Sequence, residues 1–343
     1  MARENILTPL RALLAWSVVA SHFPQSAPWK PGVLSANVPA FLAISGFCIY
    51  LSLQKHGLKN WIQRRASRLM PGLITATLLA VGIGATLTTA TQLGYWGSEQ
   101  TWKFVGAQIS TLGFLQQSPE GVAIPRLNQP THTLKYEIVC YVALCFGIWR
   151  SRQNKESLTA VTLIVAASLF LILSWISMPG LEPLQELKHG LQLCFFFTCG
   201  TIAAAYKDTW LKKKWIPLHI ICGAILMQMF AEPGGKWESW ENAPISLGII
   251  LFFIMGSHCV PEPKWFKKVG DPSYGIYLYH FPIGCAIAHH LKLESNALFF
   301  ATLITSTIAG LASYHFIEKR FHRIQTHEQT KQKPIPEKPG DGD

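Results

Sequence analysis

Long apolar runs recur along this whole chain, and basic residues gather in every second gap between them. A bilayer crossing takes about 20 mostly apolar residues. Ten runs meet that need, near residues 8–24, 33–53, 70–91, 132–150, 158–177, 189–206, 215–231, 243–260, 272–291 and 296–317. The runs at 132–150 and 272–291 are interrupted by polar residues, so hydropathy alone would not single them out. In lipid every backbone N–H and C=O must be satisfied within the protein, and such runs therefore form helices. The expected fold is all-α: a polytopic membrane protein with about ten transmembrane helices. They form one embedded domain over residues 1–321. The tail over 322–343, ending TKQKPIPEKPGDGD, is Pro-rich and charged and is expected to be disordered.

Charge sets the direction. With a cytoplasmic N-terminus, the outer connections and span edges carry seven basic residues: Lys30, Lys103, Arg126, Lys135, Lys188, Lys236 and Lys292. Arg11 lies within the first run, and the other 22 of the 30 Lys and Arg fall in the inner segments. Basic residues alone orient a membrane protein, so both termini of this multi-pass chain are expected in the cytoplasm. A net charge of +11 would point to nucleic acid in a soluble protein. Here topology explains it, and the partners expected are membrane lipids rather than nucleic acid. Only 14% of residues are Asp, Glu, Lys or Arg, against about 25% in soluble domains. The eight cysteines all lie in apolar stretches, with no CxxC pair and no zinc-like spacing, so no metal site is expected. A cleaved signal peptide is the competing reading of the first run. Arg11 lies unusually deep for a signal's basic region.

Titratable side chains inside apolar runs carry the functional signal, because they persist in lipid where they face a protein interior or a water-filled path. Arg11 and His22 sit in LRALLAWSVVASHF. Eleven residues of helix rise about 16 Å over about three turns, so both share one face. Singly, Arg11 reads as a snorkelling anchor, and His22 as either an interfacial histidine or a base. The inner connection WIQRRASRLMPG places Arg64, Arg65 and Arg68 on one helical patch before Pro71, which begins the third run. Such a patch suits lipid headgroups or, through bidentate guanidinium donors, the phosphates of a ligand. Glu137 near a helix start is favoured by the macrodipole in any case. His280 falls near mid-membrane with Tyr277 on the same face.

These segments resemble, in order, the elements of the membrane acyltransferase-3 family. Arg11, ten residues and His22 match its opening pattern. NVPAFLAISGFCIY, with Ser45, Gly46 and Phe47, is similar to its second-helix element. The Arg-rich stretch ends in a proline, as the family's does. THTLKYE matches a Trp-Thr-Leu-x-x-Glu element at Thr133, Leu134 and Glu137, with His132 where tryptophan is usual. DPSYGIYLYHFPI matches at Ser273, Tyr274, Tyr277, Leu278 and His280, and SYHFIEKRF, with Glu318, resembles the closing element. The resemblance spans about residues 8–321.

It implies an O-acyltransferase that moves an acetyl or other short acyl group from acyl-CoA to a hydroxyl of a cell-surface glycan or its lipid-linked precursor. No bound cofactor is implied; acetyl-CoA (acyl-CoA) is the donor substrate. His22 would be the catalytic base or a covalent acyl carrier, with Glu137 orienting its imidazole. Arg11, Arg64, Arg65 and Arg68 would take the donor's phosphates. Ser45, Thr133, Tyr277 and His280 would line the substrate cavity, with Tyr277 a candidate donor to the oxyanion. The segment TWKFVGAQISTLGFLQQ, within the long connection 92–131, is amphipathic and is expected to lie along the membrane or re-enter it. The rival functions are acylation of a small metabolite or lipid, and transport of a lipid-linked glycan, which intramembrane Arg, His and Glu also suit.

Overall fold

The computed structural model describes residues 7–23, 37–110, 118–124, 126–150, 185–212 and 263–321, with the isolated residues 165, 168, 169, 172 and 254. The described residues are mostly helical. Among them there is no strand, only one antiparallel bridge between Thr88 and Val122. The helices are α1 (Leu7–His22), α2 (Asn37–His56), α3 (Leu58–Leu87), α4 (Gln92–Gly97), α5 (Glu99–Ile109), α6 (Leu134–Arg150), α7 (Gln185–Ala205), α8 (Lys207–Lys212), α9 (Lys264–Val269), α10 (Ser273–Leu291) and α11 (Ser295–Ser313). A 3-10 turn over Gln129–Thr133 leads into α6, and a π turn over Tyr314–Glu318 closes α11.

Seven expected spans coincide with α1, α2, α3, α6, α7, α10 and α11. The runs at 158–177, 215–231 and 243–260, and the tail, lie outside the described residues. Among those residues, three helices are long and apolar enough to cross a membrane: Asn37–His56, Leu58–Leu87 and Ser295–Phe321. With 16 and 17 residues, α1 and α6 are shorter than the about 20 that a straight crossing takes.

One local outcome differs from the sequence pattern. Pro71 does not begin a helix; α3 runs unbroken for 30 residues with Pro71 inside it, joining the Arg-rich connection to the third span. Proline removes one intrahelical hydrogen bond. Here side chains brace the backbone on either side, with Tyr274 donating to the Leu69 carbonyl (2.9 Å) and Thr75 to the Pro71 carbonyl (2.8 Å). Of the amphipathic stretch, α5 buries Thr101, Phe104, Val105 and Gln108 at helical spacing and exposes Trp102; residues 111–117 are outside the described set. The connection then folds inward. Leu127, Asn128, Thr131 and Thr133 are all buried, and Thr131 bonds Gln108 at 2.7 Å.

The largest core cluster lies between α2 and α7, around Phe47, Ile49, Leu193 and Phe196. Small residues allow the approach: a Cβ on Gly46 would meet the Phe197 carbonyl oxygen, and one on Gly200 would meet that of Ala43. On the outer faces, Val142, Phe146, Phe300, Ile304 and Ile308 are each more than half exposed. Apolar side chains in that position suit a hydrocarbon solvent rather than water.

Candidate active site

Five helices bring the candidate residues to one chamber. Arg11 comes from α1, Ser45 from α2, Arg65 and Arg68 from α3, Glu137 from α6, and Tyr277 from α10; they line a cavity of about 270 Å³. At one end Asp271, just ahead of α10, joins three elements. Its Oδ2 accepts from Arg11 Nη1 at 3.2 Å and from Arg68 Nη2 at 2.8 Å. Its Oδ1 accepts from the Ser273 backbone N–H (3.1 Å) and hydroxyl (2.5 Å), which secures the start of α10. Burial by itself would raise the Asp271 carboxyl. The guanidinium groups of Arg11 and Arg68, with the Ser273 hydrogen bonds, outweigh it and hold the carboxyl below its ordinary value.

Further along, Glu137 accepts hydrogen bonds from the Ser45 hydroxyl (2.5 Å) and the Tyr141 hydroxyl. Arg65 stacks over the Tyr141 ring at 5.5 Å. Arg64 belongs to the same helix but does not line the chamber. Beyond Glu137 the chamber reaches Thr133 and Tyr277, whose hydroxyls are 2.5 Å apart. Tyr277 donates to the Pro130 carbonyl (2.7 Å), so its one proton is already committed to the backbone. The expected oxyanion donor is therefore not presented by Tyr277 in this arrangement.

His280 follows Tyr277 by one helical turn, and His22 lies against it. The ring centroids are 5.1 Å apart, and His280 Nε2 is 3.4 Å from His22 Nδ1. His22 Nδ1 donates to the Val18 carbonyl (2.9 Å), while His280 Nδ1 donates to the carbonyls of Tyr277 (3.0 Å) and Ile276 (3.1 Å). These partners assign both protons to Nδ1. Nε2 of His280 then faces the His22 Nδ1–H, and the basic lone pair of His22 is on Nε2. The expected pairing of Glu137 with His22 is not formed. The carboxylate is turned toward Ser45 and Tyr141, and a second imidazole takes the orienting position.

The sequence read alone does not single out Asp271 or Tyr141. Both carried a signal: Asp271 follows Lys264, Lys267 and Lys268 at the start of DPSYGIYLYHFPI, and Tyr141 stands one turn after Glu137. His132, in the place of the usual tryptophan, stacks on His189 with centroids 5.7 Å apart. Glu318 is buried by the π turn and accepts from Ser313 at 3.0 Å, outside the chamber. Among the described residues no group of three His, Cys, Asp or Glu is placed to hold a metal.

A chamber with two guanidinium groups at one end, and a histidine with an assigned basic nitrogen beyond the other, can bind an anionic ligand and accept a proton from a hydroxyl. Comparison with known proteins bears on that chemistry. The family described as "Acyltransferase domain" matches residues 7–315. An "O-acetyl transferase" of Shigella phage Sf6 is 24% identical over 94% of this chain and 97% of its own length. The "Exopolysaccharide production protein ExoZ" of Rhizobium meliloti (strain 1021) is 23% identical over 83% of this chain and 88% of its own length. No solved structure matches. The match runs from the first described helix to the π turn and takes in every residue of the chamber, and the chain belongs to the acyltransferase-3 family, as an enzyme of acyl transfer.

Proposed function

We propose that this protein is an integral membrane O-acetyltransferase that carries an acetyl, or another short acyl group, from acyl-CoA to a hydroxyl of a cell-surface glycan or its lipid-linked precursor. Ten spans would hold it in the bacterial inner membrane with both termini in the cytoplasm. One observation carries the reading: the cavity that begins at Arg11, Asp271 and Arg68 ends at Tyr277, one turn from the His280–His22 pair.

In this reading the donor's phosphates dock from the cytoplasm at Arg11 and Arg68, displacing part of their hold on Asp271, with Arg65 in the adjoining wall. The pantetheine arm runs along the chamber past Ser45 and Glu137. Neutral His22 takes the acceptor's hydroxyl proton on Nε2 as the oxygen attacks the thioester carbonyl. The new imidazolium is stabilised by its Nδ1 contacts to the Val18 carbonyl and His280 Nε2. The tetrahedral intermediate collapses to the ester, and the proton leaves with the coenzyme A thiol. Glu137 acts on the chamber wall by fixing Ser45 and Tyr141, not on the base.

The relatives' printed names support the acceptor class: one is an O-acetyl transferase and the other serves exopolysaccharide production. The decisive experiment is mass spectrometry of the host's surface glycans in three strains: intact gene, deletion, and deletion rescued with His22→Ala. The expected result is an acyl group lost in the deletion and not restored by the variant. Identical glycans in all three strains would sink the reading. An acyl-histidine trapped on the intact enzyme would replace direct attack by a two-step transfer through His22.

A further inference from the structure

The chamber stops short of the histidine pair. Its lining takes in Arg11 and Tyr277 but neither His22 nor His280. Two rings stand between. Phe41 of α2 and Tyr277 of α10 both line the chamber, with centroids 5.8 Å apart. The Tyr277 ring is in turn 6.3 Å from that of His280. Phe41 also packs against Ala15 and Val19 of α1 and Ile276 of α10. Val19 precedes His22 by about one helical turn. The two rings thus form a partition, with the chamber before it and the histidine pair beyond.

The rings are held differently. The Tyr277 hydroxyl is 2.5 Å from that of Thr133 and donates to the Pro130 carbonyl at 2.7 Å. Phe41 has no polar group and rests on apolar contacts alone. Val38 and Leu134, which also line the chamber, are apolar. The guanidinium groups of the lining are engaged elsewhere: Arg11 and Arg68 on Asp271, and Arg65 over Tyr141. Among the described residues, this end of the chamber is apolar apart from two hydroxyls bonded to their neighbours, and it holds no cation.

We propose that Phe41 is the size filter for the donor's acyl group, and that with Tyr277 it restricts transfer to an uncharged acyl of two carbons, the acetyl group. This role rests on the acyl-transfer reading and narrows its donor. A thioester whose coenzyme phosphates are on Arg11 and Arg68 lies with its acyl end toward the partition. Its carbonyl carbon must come to about 3–3.5 Å from the attacking oxygen, and that oxygen is held by His22 beyond the rings. The carbonyl therefore sits at the partition, and whatever the acyl chain adds past its methyl group meets a ring. Tyr277 is fixed by its hydrogen bonds, so Phe41 sets the limit. An apolar pocket discriminates one methylene by about 10–200-fold. A succinyl group meets a second barrier, since its carboxylate would be buried there without a cation.

The test uses inverted membrane vesicles of the deletion strain, which hold the host's own acceptor, with the intact or variant full-length protein restored. Acetyl-, butyryl- and succinyl-CoA are added in turn, and acyl groups on the extracted glycan are measured by mass spectrometry as initial rates. The intact protein should transfer acetyl, with butyryl and succinyl each at least about tenfold slower. Phe41→Ala opens a cavity at the partition. It should raise the butyryl-to-acetyl ratio at least about tenfold and still refuse succinyl. Butyryl and succinyl both have four carbons, so the contrast separates length from charge. Phe41→Leu should move the ratio the same way by a smaller factor, and it decides where Phe41→Ala does not accumulate in the membrane.

A mere loss of packing would slow all donors together and leave their ratio where it was. That result in a folded variant, succinyl admitted along with butyryl, or an intact protein that takes butyryl as readily as acetyl would overturn the proposal. Acetylation by the intact protein with an unchanged ratio in the variants removes the size filter and leaves the function. A glycan acylated from none of the three donors removes the function, and with it the role of Phe41.

Discussion

His22 and His280 meet ring to ring, and the other contacts of each ring fix which nitrogen carries its proton. The contacts of His280 fix its own tautomer on the backbone, and through Nε2 it holds the tautomer of His22. Replacing His22 by Ala should lower acyl transfer by about 10²–10⁴, the range for loss of a general base. His280→Phe keeps a ring in the fully buried site but removes the acceptor for His22. It should lower kcat by at least about tenfold with the donor KM unchanged, measured as initial rates against acetyl-CoA. An unchanged kcat would make His280 a packing residue only.

Asp271 gives a residue-level prediction about pH. Unfolded, its carboxyl titrates near about 3.9. Folded, it is held lower, so it stays ionised further down the scale. A depressed carboxyl contributes stability that is fully present above the unfolded value and is lost as pH falls through the folded one. The gap in thermal midpoint between the native protein and Asp271→Asn should therefore narrow as pH drops from about 6 toward about 3. The same substitution loosens Arg11 and Arg68 and should change the donor KM more than kcat.

At the scale of elements, packing follows small residues, as it does where helices meet without water. Gly46 on α2 faces the backbone of α7, and Gly200 on α7 faces the backbone of α2. A side chain at either position must push whole helices apart, since the atoms met are carbonyl oxygens rather than rotatable groups. Overpacking commonly costs about 1–3 kcal/mol. Gly200→Val should thus lower the thermal midpoint in detergent clearly, while Gly82→Ala, which meets nothing within 4 Å inside α3, should not lower it and should raise it slightly if anything. The helix starts and periodicities were legible beforehand: α2, α10 and α11 fall within a few residues of the runs that foretold them. Pro71 lies inside α3 rather than at a helix start, because a proline removes only the one bond from its own nitrogen to the carbonyl four residues back and the rest of the helix runs on.

For the molecule as a whole, the alternation of basic and neutral connections predicts topology without reference to any contact. A fluorescent protein fused after Asp343 should fold and fluoresce in the cytoplasm. A cysteine placed at Gly97, in the long connection, should react with an impermeant reagent from outside. A dark fusion or a protected cysteine would reverse the orientation. The sequence by itself determined the helical class and the family, and it named Arg11, Ser45, Arg65, Arg68, Thr133, Glu137 and Tyr277 of the chamber lining, because hydropathy, charge bias and short motifs are local properties of the chain. Only the tertiary structure decided who meets whom. Asp271 reaches Arg11 and Arg68 across 260 and 203 residues of chain, and Glu137 turns to Ser45 and Tyr141 rather than to His22. Partner choice inside a bundle depends on helix rotation and depth, which packing sets and which no single segment encodes.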